Sequence, residues 1–177
     1  MNKDKARIYL AGPLFGIADR HHNLLLAQEL ERLGYTVVLP QKEALKFHDG
    51  HRFNLKKIGE NCRTQSIKSD CIVANIDGPD ADSGTAIEIG IGLSAASLSS
   101  RSKPSVICVR TDFRTDRERE IGINRMVELA DKVIYRPAFV ESLEDVAKFY
   151  AALAKEIASL LTEPKRKPRR KGRNQSN

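Results

Sequence analysis

Ser83 to Ser100 is a run of eighteen residues with one ionisable side chain, Glu88. Holding a carboxylate among small and apolar neighbours is costly, so the block Asp82-Ser-Gly-Thr-Ala-Ile-Glu-Ile-Gly90 marks Glu88 as a candidate for chemistry. Ser83 is expected to cap a helix through its hydroxyl. Ala86, Ile87, Ile89, Leu93 and Ala96 form the apolar stripe that would dock that helix on a sheet. Glu88 then sits about one turn inside. Residues 84 and 88 share a face at i, i+4, and Gly84 lets a ligand approach the carboxylate past bare backbone. A glutamate on the solvent side of an ordinary amphipathic helix would occupy the same position. Two carboxylates beside one leaving group are the minimum for retaining glycosyl transfer, in which one attacks the sugar carbon and the other handles the leaving group's proton. Glu88 suits the first role and Asp82, on the loop before the helix, the second. Tyr9, near the end of an apolar strand, has a phenol able to orient Glu88.

Other chemistries compete for the same residues. Asp77, Asp80 and Asp82 are clustered as a hard divalent cation would require, but Asp77-Gly-Pro-Asp-Ala-Asp82 lacks the later glutamate of a calcium loop, and no Gly-rich phosphate loop with a lysine exists. His48-Asp-Gly-His51 with His21-His22 is a weak zinc pattern with no cysteine partner, and these read as surface histidines. No metal and no cofactor are expected.

The rest of the chain must position this block. Arg7–Ala11 reads as a strand ending at Gly12-Pro13, and residues 20–33 as a helix with Leu24, Leu25, Ala27, Leu30 and Leu33 inward and Gly34 as its cap. Thr36–Pro40 is a second strand, and Phe53–Ile67 a helix after a loop. Cys71–Ile76, Ser105–Val109 and Lys132–Tyr135 are three further strands. Leu143–Leu161 closes the chain as a helix with Val146, Phe149, Tyr150, Leu153 and Ile157 inward. Strands alternating with helices, and strands apolar on both faces, predict an α/β fold: a flavodoxin-like, doubly wound, five-stranded parallel sheet of order 2-1-3-4-5 with helices on both faces. Ligands of such sheets bind beyond the carboxyl ends of the strands, at the switch point between the first and third. Gly12-Pro-Leu-Phe15, Asp77-Gly-Pro-Asp80 and the start of the Glu88 helix meet there, so Asp77, Asp80, Asp82 and Glu88 are expected to converge on one cleft.

A chain of 177 residues that is 41% hydrophobic fits one domain, taken as residues 1–161. The formal charge of +7 is concentrated in residues 162–177, which hold seven Lys or Arg and one Glu, so the remaining body carries only +1. That stretch has no apolar residue to bury and is expected to be a disordered basic tail, with at most weak nucleic-acid contact through counterion release. No leader-like or membrane-spanning segment is read from the sequence, and a cytoplasmic protein is expected. Cys62, Cys71 and Cys108 form no CxxC pair and read as reduced packing residues.

Ile8-Tyr-Leu-Ala-Gly-Pro-Leu-Phe15 resembles the opening strand and loop of the nucleoside 2-deoxyribosyltransferases and their relatives, the deoxynucleoside 5′-monophosphate N-glycosidases. Asp82–Gly90 is similar to that family's catalytic block, and Ile123-Asn-Arg-Met126 to its late asparagine motif. The resemblance runs from residue 7 to about residue 160. It implies that Glu88 is the nucleophile taking the sugar C1′, that Asp82 serves the base, and that Tyr9 orients the nucleophile. It also implies that Phe15 lines the base pocket and that Asn124 reaches the sugar hydroxyl in a neighbouring subunit's site, hence a homo-oligomer. Gly12, Gly84 and Asp77 border the same cleft as candidate substrate-binding positions. The family's sugar-binding aspartate on the helix before the third strand has Asn61 or Cys62 nearest by spacing, and Asn61 is taken as the substrate-binding candidate. Phosphate-binding relatives carry a serine at the Asn124 place and a Gly-Ser-Ile-Arg-Gly-Gly-type first loop, and neither is present. The implied activity is transfer of 2-deoxyribose between a nucleoside and a free nucleobase. The alternatives are an N-glycosidase acting on nucleosides or deoxynucleoside 5′-monophosphates, and a nucleotide- or RNA-binding module.

Overall fold

Short runs rich in β-branched and apolar residues form the five strands: Arg7–Ala11 (β1), Thr36–Val38 (β2), Cys71–Asn75 (β3), Ser105–Arg110 (β4) and Lys132–Tyr135 (β5). In the computed structural model, which describes residues 6–98, 105–113 and 123–162, they pair in parallel throughout. The order is β2-β1-β3-β4-β5, as predicted. Every residue of β3 is buried, as a strand covered on both faces requires.

β1 divides its side chains between two cores by simple alternation. Ile8 and Leu10 join Leu26, Leu30, Leu153 and Ile157 under α1 (Ile17–Arg32) and α5 (Leu143–Thr162). Tyr9 and Ala11 join Ile72, Ala74, Ile89 and Cys108 on the other face, which α3 (Leu55–Lys68) and α4 (Ser83–Leu98) cover. At Gly92 α4 lies so close to the sheet that a Cβ would come within 2.7 Å of Ile72 Cδ1 and 2.8 Å of Val106 Cγ2. Glycine at that position is what lets Glu88, one turn earlier, approach the end of β1.

Several boundaries differ from expectation, each for a local reason. α1 begins at Ile17, three residues early, because the Asp19 carboxylate accepts from Gly16 N at 3.0 Å and closes the first turn. Its fully buried leucines are Leu26 and Leu30, with Leu24, Leu25 and Leu33 half-buried. Gly34, at φ 88°, ends it as expected: Gly34 N donates to Glu31 O and Tyr35 N to Leu30 O. The second strand stops at Val38, since Pro40 opens a short helix, α2 (Pro40–Ala44), where its missing N–H costs nothing. A 3-10 turn, Leu45–Phe47, follows. Asn54 caps α3 by accepting from Lys57 N, so that helix starts two residues later than predicted.

On α4, Ile89 is buried and Ala86 and Leu93 are half-buried, but Ile87 points outward with 65% exposure. It lines an apolar groove with Ile67, Gly90 and Ile91. The side chain of Ala96 lies outside the described residues, as does the predicted tail except for Thr162, which ends α5. Cys71 and Cys108 are free and buried, and burial pushes both thiols up to about 12. No helix among the described residues is long and apolar enough to cross a membrane.

Candidate active site

The centre of the site is a pair brought together from 79 residues apart: Tyr9 Oη donates to Glu88 Oε1 at 2.5 Å. β1 sends Tyr9 to the α3/α4 face close to its carboxyl end. α4 presents Glu88 to it from above, because Ile89 is anchored in the core beside it. Burial is the largest influence on Glu88 and raises its carboxyl to about 7, the Asp82 charge adding to the rise and the Tyr9 hydrogen bond opposing it. Tyr9 is pushed well above the ordinary phenol value by burial, then by Glu88 and Cys62, and so remains a donor. Since the attacking form of a carboxylate is the anion, kcat/KM is expected to fall about tenfold per pH unit below roughly 7. Tyr9→Phe removes the one influence that lowers the Glu88 value, so the acid limb should move to higher pH. A pH profile in which the limb stays put would remove Tyr9 from control of Glu88.

Asp82, and not Ser83, caps α4. Asp82 Oδ2 accepts from Gly84 N at 3.0 Å and Thr85 N at 3.3 Å, and Ala86 N donates to Asp82 O. A carboxylate outcompetes a hydroxyl here because it also meets the positive end of the helix dipole. The cap fixes Asp82 close enough to Glu88 to influence its charge. Gly84 is exposed on the first turn, where a Cβ would come within 3.2 Å of that same oxygen.

The other predicted acids do not converge with this pair. Asp77 turns toward β4: Oδ1 accepts from Thr111 N at 2.5 Å and Asp112 N at 2.8 Å, and Oδ2 from Thr111 Oγ1 at 2.5 Å. It ties the loop after β3 to the loop after β4, because three donors on one segment outbid an open cleft for its lone pairs. Asp80 is exposed, its Oδ1 accepting from Ala81 N. Among the described residues no three His, Cys, Asp or Glu side chains are grouped as metal ligands would be.

The loop after β1 forms the opposite wall. Gly12 is buried where a Cβ would come within 2.9 Å of Asn23 Oδ1 and 3.2 Å of Asn75 Cβ, so a larger residue would have to displace the Asn23 amide and crowd Asn75. Arg20 donates to the Leu14 and Phe15 carbonyls and braces the loop, leaving Phe15 76% exposed. Asn61 is not turned to the pair: its Oδ1 accepts from Gln65 Nε2 at 3.3 Å, and Gln65 Oε1 in turn accepts from Arg7. Its neighbour Cys62 is free and half-buried and packs against the cluster that contains Tyr9. Asn124 is exposed and its Oδ1 accepts from Met126 N. Among the described residues no hydrogen bond joins it to Tyr9, Asp82 or Glu88 of the same chain.

Two further side chains escaped the sequence reading. Gln41 on α2 donates from Nε2 to Arg20 O while its Oε1 is buried with no partner among the described residues, beside the loop that carries Phe15. A buried amide oxygen without a donor is costly, and only the unexpected α2 put it there. His22 is not a surface histidine: its Nδ1 is 2.8 Å from Tyr150 Oη, and burial lowers its pKa against the opposing charges of Asp77 and Asp19. His48 and His51 are exposed, the His48 ring packing at a tilt of 58° against Phe53.

The doubly wound parallel sheet thus carries a half-buried carboxylate hydrogen-bonded to a buried phenol of β1. The chain belongs to the nucleoside 2-deoxyribosyltransferase family, whose model matches residues 8–134. By shape it is similar to a conserved protein from Enterococcus faecalis V583, with 25% identity and a TM-score of 0.58 over 84% of this chain and 98% of that one. It also resembles the 2-deoxyribosyltransferase of Bacillus psychrosaccharolyticus, with 24% identity and a TM-score of 0.54 over 84% and 96% of the two chains. The third likeness is to the enzyme of the same name from Leishmania mexicana, with 19% identity and a TM-score of 0.51 over 84% and 98%. No curated protein matches the sequence.

Proposed function

We propose that this protein transfers 2-deoxyribose from a nucleoside to a free nucleobase by double displacement through Glu88. The observation that carries the reading is the Tyr9–Glu88 pair, a half-buried carboxylate held at one oxygen by a phenol. Tyr9 occupies Oε1, which leaves Oε2 to attack C1′. As the C1′–O bond forms, the C1′–N bond breaks and its electron pair leaves on the base nitrogen, with Asp82 handling the proton that nitrogen takes up. A second base then attacks C1′ from the vacated side, Glu88 is released as the carboxylate, and the configuration at C1′ is retained. The chemistry draws only on carboxylates and a phenol. Phe15, exposed on the loop after β1, is the group that would meet a base by its face.

Association of the chain belongs to the same proposal. Asn124 is exposed and, among the described residues, has no hydrogen bond to Tyr9, Asp82 or Glu88 of its own chain, as a residue serving a neighbouring copy's site would be. The uncharged outer side of α4, with Ile87 exposed over the groove, supplies apolar surface for that contact. Sedimentation velocity on the purified protein, with a monomer as the result against it, tests this.

Incubation with deoxyinosine, with and without adenine, tests the activity. Deoxyadenosine formed only when adenine is present supports base exchange. Hypoxanthine released equally in both arms makes the protein a hydrolase with water as acceptor. Loss of nothing from deoxyinosine, pyrimidine deoxynucleosides or 5′-phosphates would turn the reading to a binding module, for which deletion of residues 163–177 and the salt dependence of RNA affinity are the next measurement.

A further inference from the structure

We infer that Asn23 and Arg20 are positioning residues that hold the loop after β1 as a preformed wall of the site, so that Phe15 meets a base from a fixed place and does not close on it. The inference rests on the proposed transfer reaction for its effect on turnover, and on the hydrogen bonds of the loop for the rest.

Three consecutive carbonyls of this loop accept from side chains of one helix. Asn23 Nδ2 donates to Pro13 O at 2.8 Å, and Arg20 Nη1 donates to Leu14 O at 3.0 Å and to Phe15 O at 2.8 Å. Gly16 N, next along the chain, donates to Asp19 Oδ2 at 3.0 Å. Asn23 lies three residues after Arg20 and four after Asp19, so the first two turns of α1 can present all three side chains to one loop. A carbonyl oxygen only accepts, so the atom of Asn23 that meets Pro13 must be its amide nitrogen, and Oδ1 is left toward Gly12. A Cβ on Gly12 would come within 2.9 Å of that oxygen. Asn23 is 3% exposed, and its Oδ1 is buried with no partner among the described residues. Leucine would fill the same volume without the cost of an unpaired amide oxygen. The bond to Pro13 O is what asparagine adds.

The helix that carries these donors is itself held from two other sides. Gln41 Nε2 on α2 donates to Arg20 O at 2.9 Å, and His22 Nδ1, between the two donors in sequence, is 2.8 Å from Tyr150 Oη on α5. A loop bonded to an anchored helix has little freedom left to lose when a ligand arrives, which is the advantage of a preformed wall. Because the Pro13, Leu14 and Phe15 oxygens are bonded to α1, the wall offers a base the exposed Phe15 ring. Stacking on a ring tolerates any edge pattern of the base, so the wall should serve purines and pyrimidines alike.

The chain contains no tryptophan, so Phe15→Trp places a single indole on the loop, and its nanosecond anisotropy decay reads loop motion in the full chain without turnover. In that background Asn23→Leu and Arg20→Met, which keep most of the volume and remove the donors, are each expected to raise the amplitude of the fast decay about twofold. With Phe15 in place, each should raise KM for purine and pyrimidine bases about three- to tenfold, the worth of one such hydrogen bond, with kcat kept within about twofold. Arg20→Lys, which retains a donor, should fall between Arg20→Met and the natural protein. An unchanged decay in both Asn23→Leu and Arg20→Met would overturn the inference, and so would a freer loop with KM unchanged. A fall in kcat that follows the loss of folded protein in a thermal melt, at constant KM, would overturn it in favour of simple packing. Because the decay needs no substrate, it separates the two claims: a freer loop in these variants of a chain that transfers no sugar would keep the brace and dismiss the reaction.

Discussion

Glu88→Ala is expected to lose about a thousandfold or more in transfer rate, on the order of 4 kcal/mol of barrier, because the proposed covalent route would lose its nucleophile. Glu88→Gln should lose as much while keeping the volume and an acceptor for Tyr9, which separates nucleophilicity from shape. Folding is expected to survive both. The folded-state carboxyl titrates near 7 and the unfolded one near the ordinary value. The folded chain therefore binds the proton more tightly, and stability contributed by the protonated form is lost as pH rises between those values. Above pH 7 the anion is a burden on the fold, so removing it should leave the melting temperature unchanged or higher, as is common where a site is arranged for chemistry against stability. Transfer within tenfold of the natural rate in Glu88→Gln would dismiss the double displacement.

The cap that Asp82 forms on α4 and the proton relay proposed for it can be separated by two substitutions. Asp82→Asn keeps a side-chain oxygen for the Gly84 and Thr85 amides, so the α4 cap and the melting temperature should hold. An amide does not relay a proton, however, and the rate is expected to drop by roughly 10²–10⁴. Asp82→Ala should show the same loss in rate together with about 0.5–2 kcal/mol of lost stability from the missing cap. If Asp82→Asn turns over normally and only Asp82→Ala is slow, the residue is a helix cap and the leaving base takes its proton from elsewhere. The comparison is informative because cap and relay use the same carboxylate, and thermal melts read one duty while turnover reads the other.

Much of this protein is legible from the chain because the relevant information is local. Apolar runs such as Cys71–Asn75, the 3.6-residue spacing of Phe149, Leu153 and Ile157, and Gly34 as a helix stop report burial and backbone conformation within a few residues. Once strands and helices alternate, right-handed crossovers leave few ways to lay them out, and the order β2-β1-β3-β4-β5 follows. Glu88, the lone carboxylate in an uncharged run, likewise stands out along the chain as a candidate, since the cost of burying it is visible in its neighbours. What the chain did not settle is where side chains point once elements are packed. Asp77 and Asp82 are equally acidic and equally close to the switch point, yet one is taken up by donors on the loop after β4, 34 residues away, and the other by the helix it precedes. Asn61 and Cys62 are adjacent, and only the docking of α3 on the sheet packs the thiol against the Tyr9 cluster and pairs the Asn61 amide with Gln65. The Tyr9–Glu88 bond itself depends on Gly92 admitting α4 to within contact of Ile72 and Val106. Patterns of burial are written along the chain, whereas the direction of a polar side chain is decided by competition among donors and acceptors that only the folded state brings within reach.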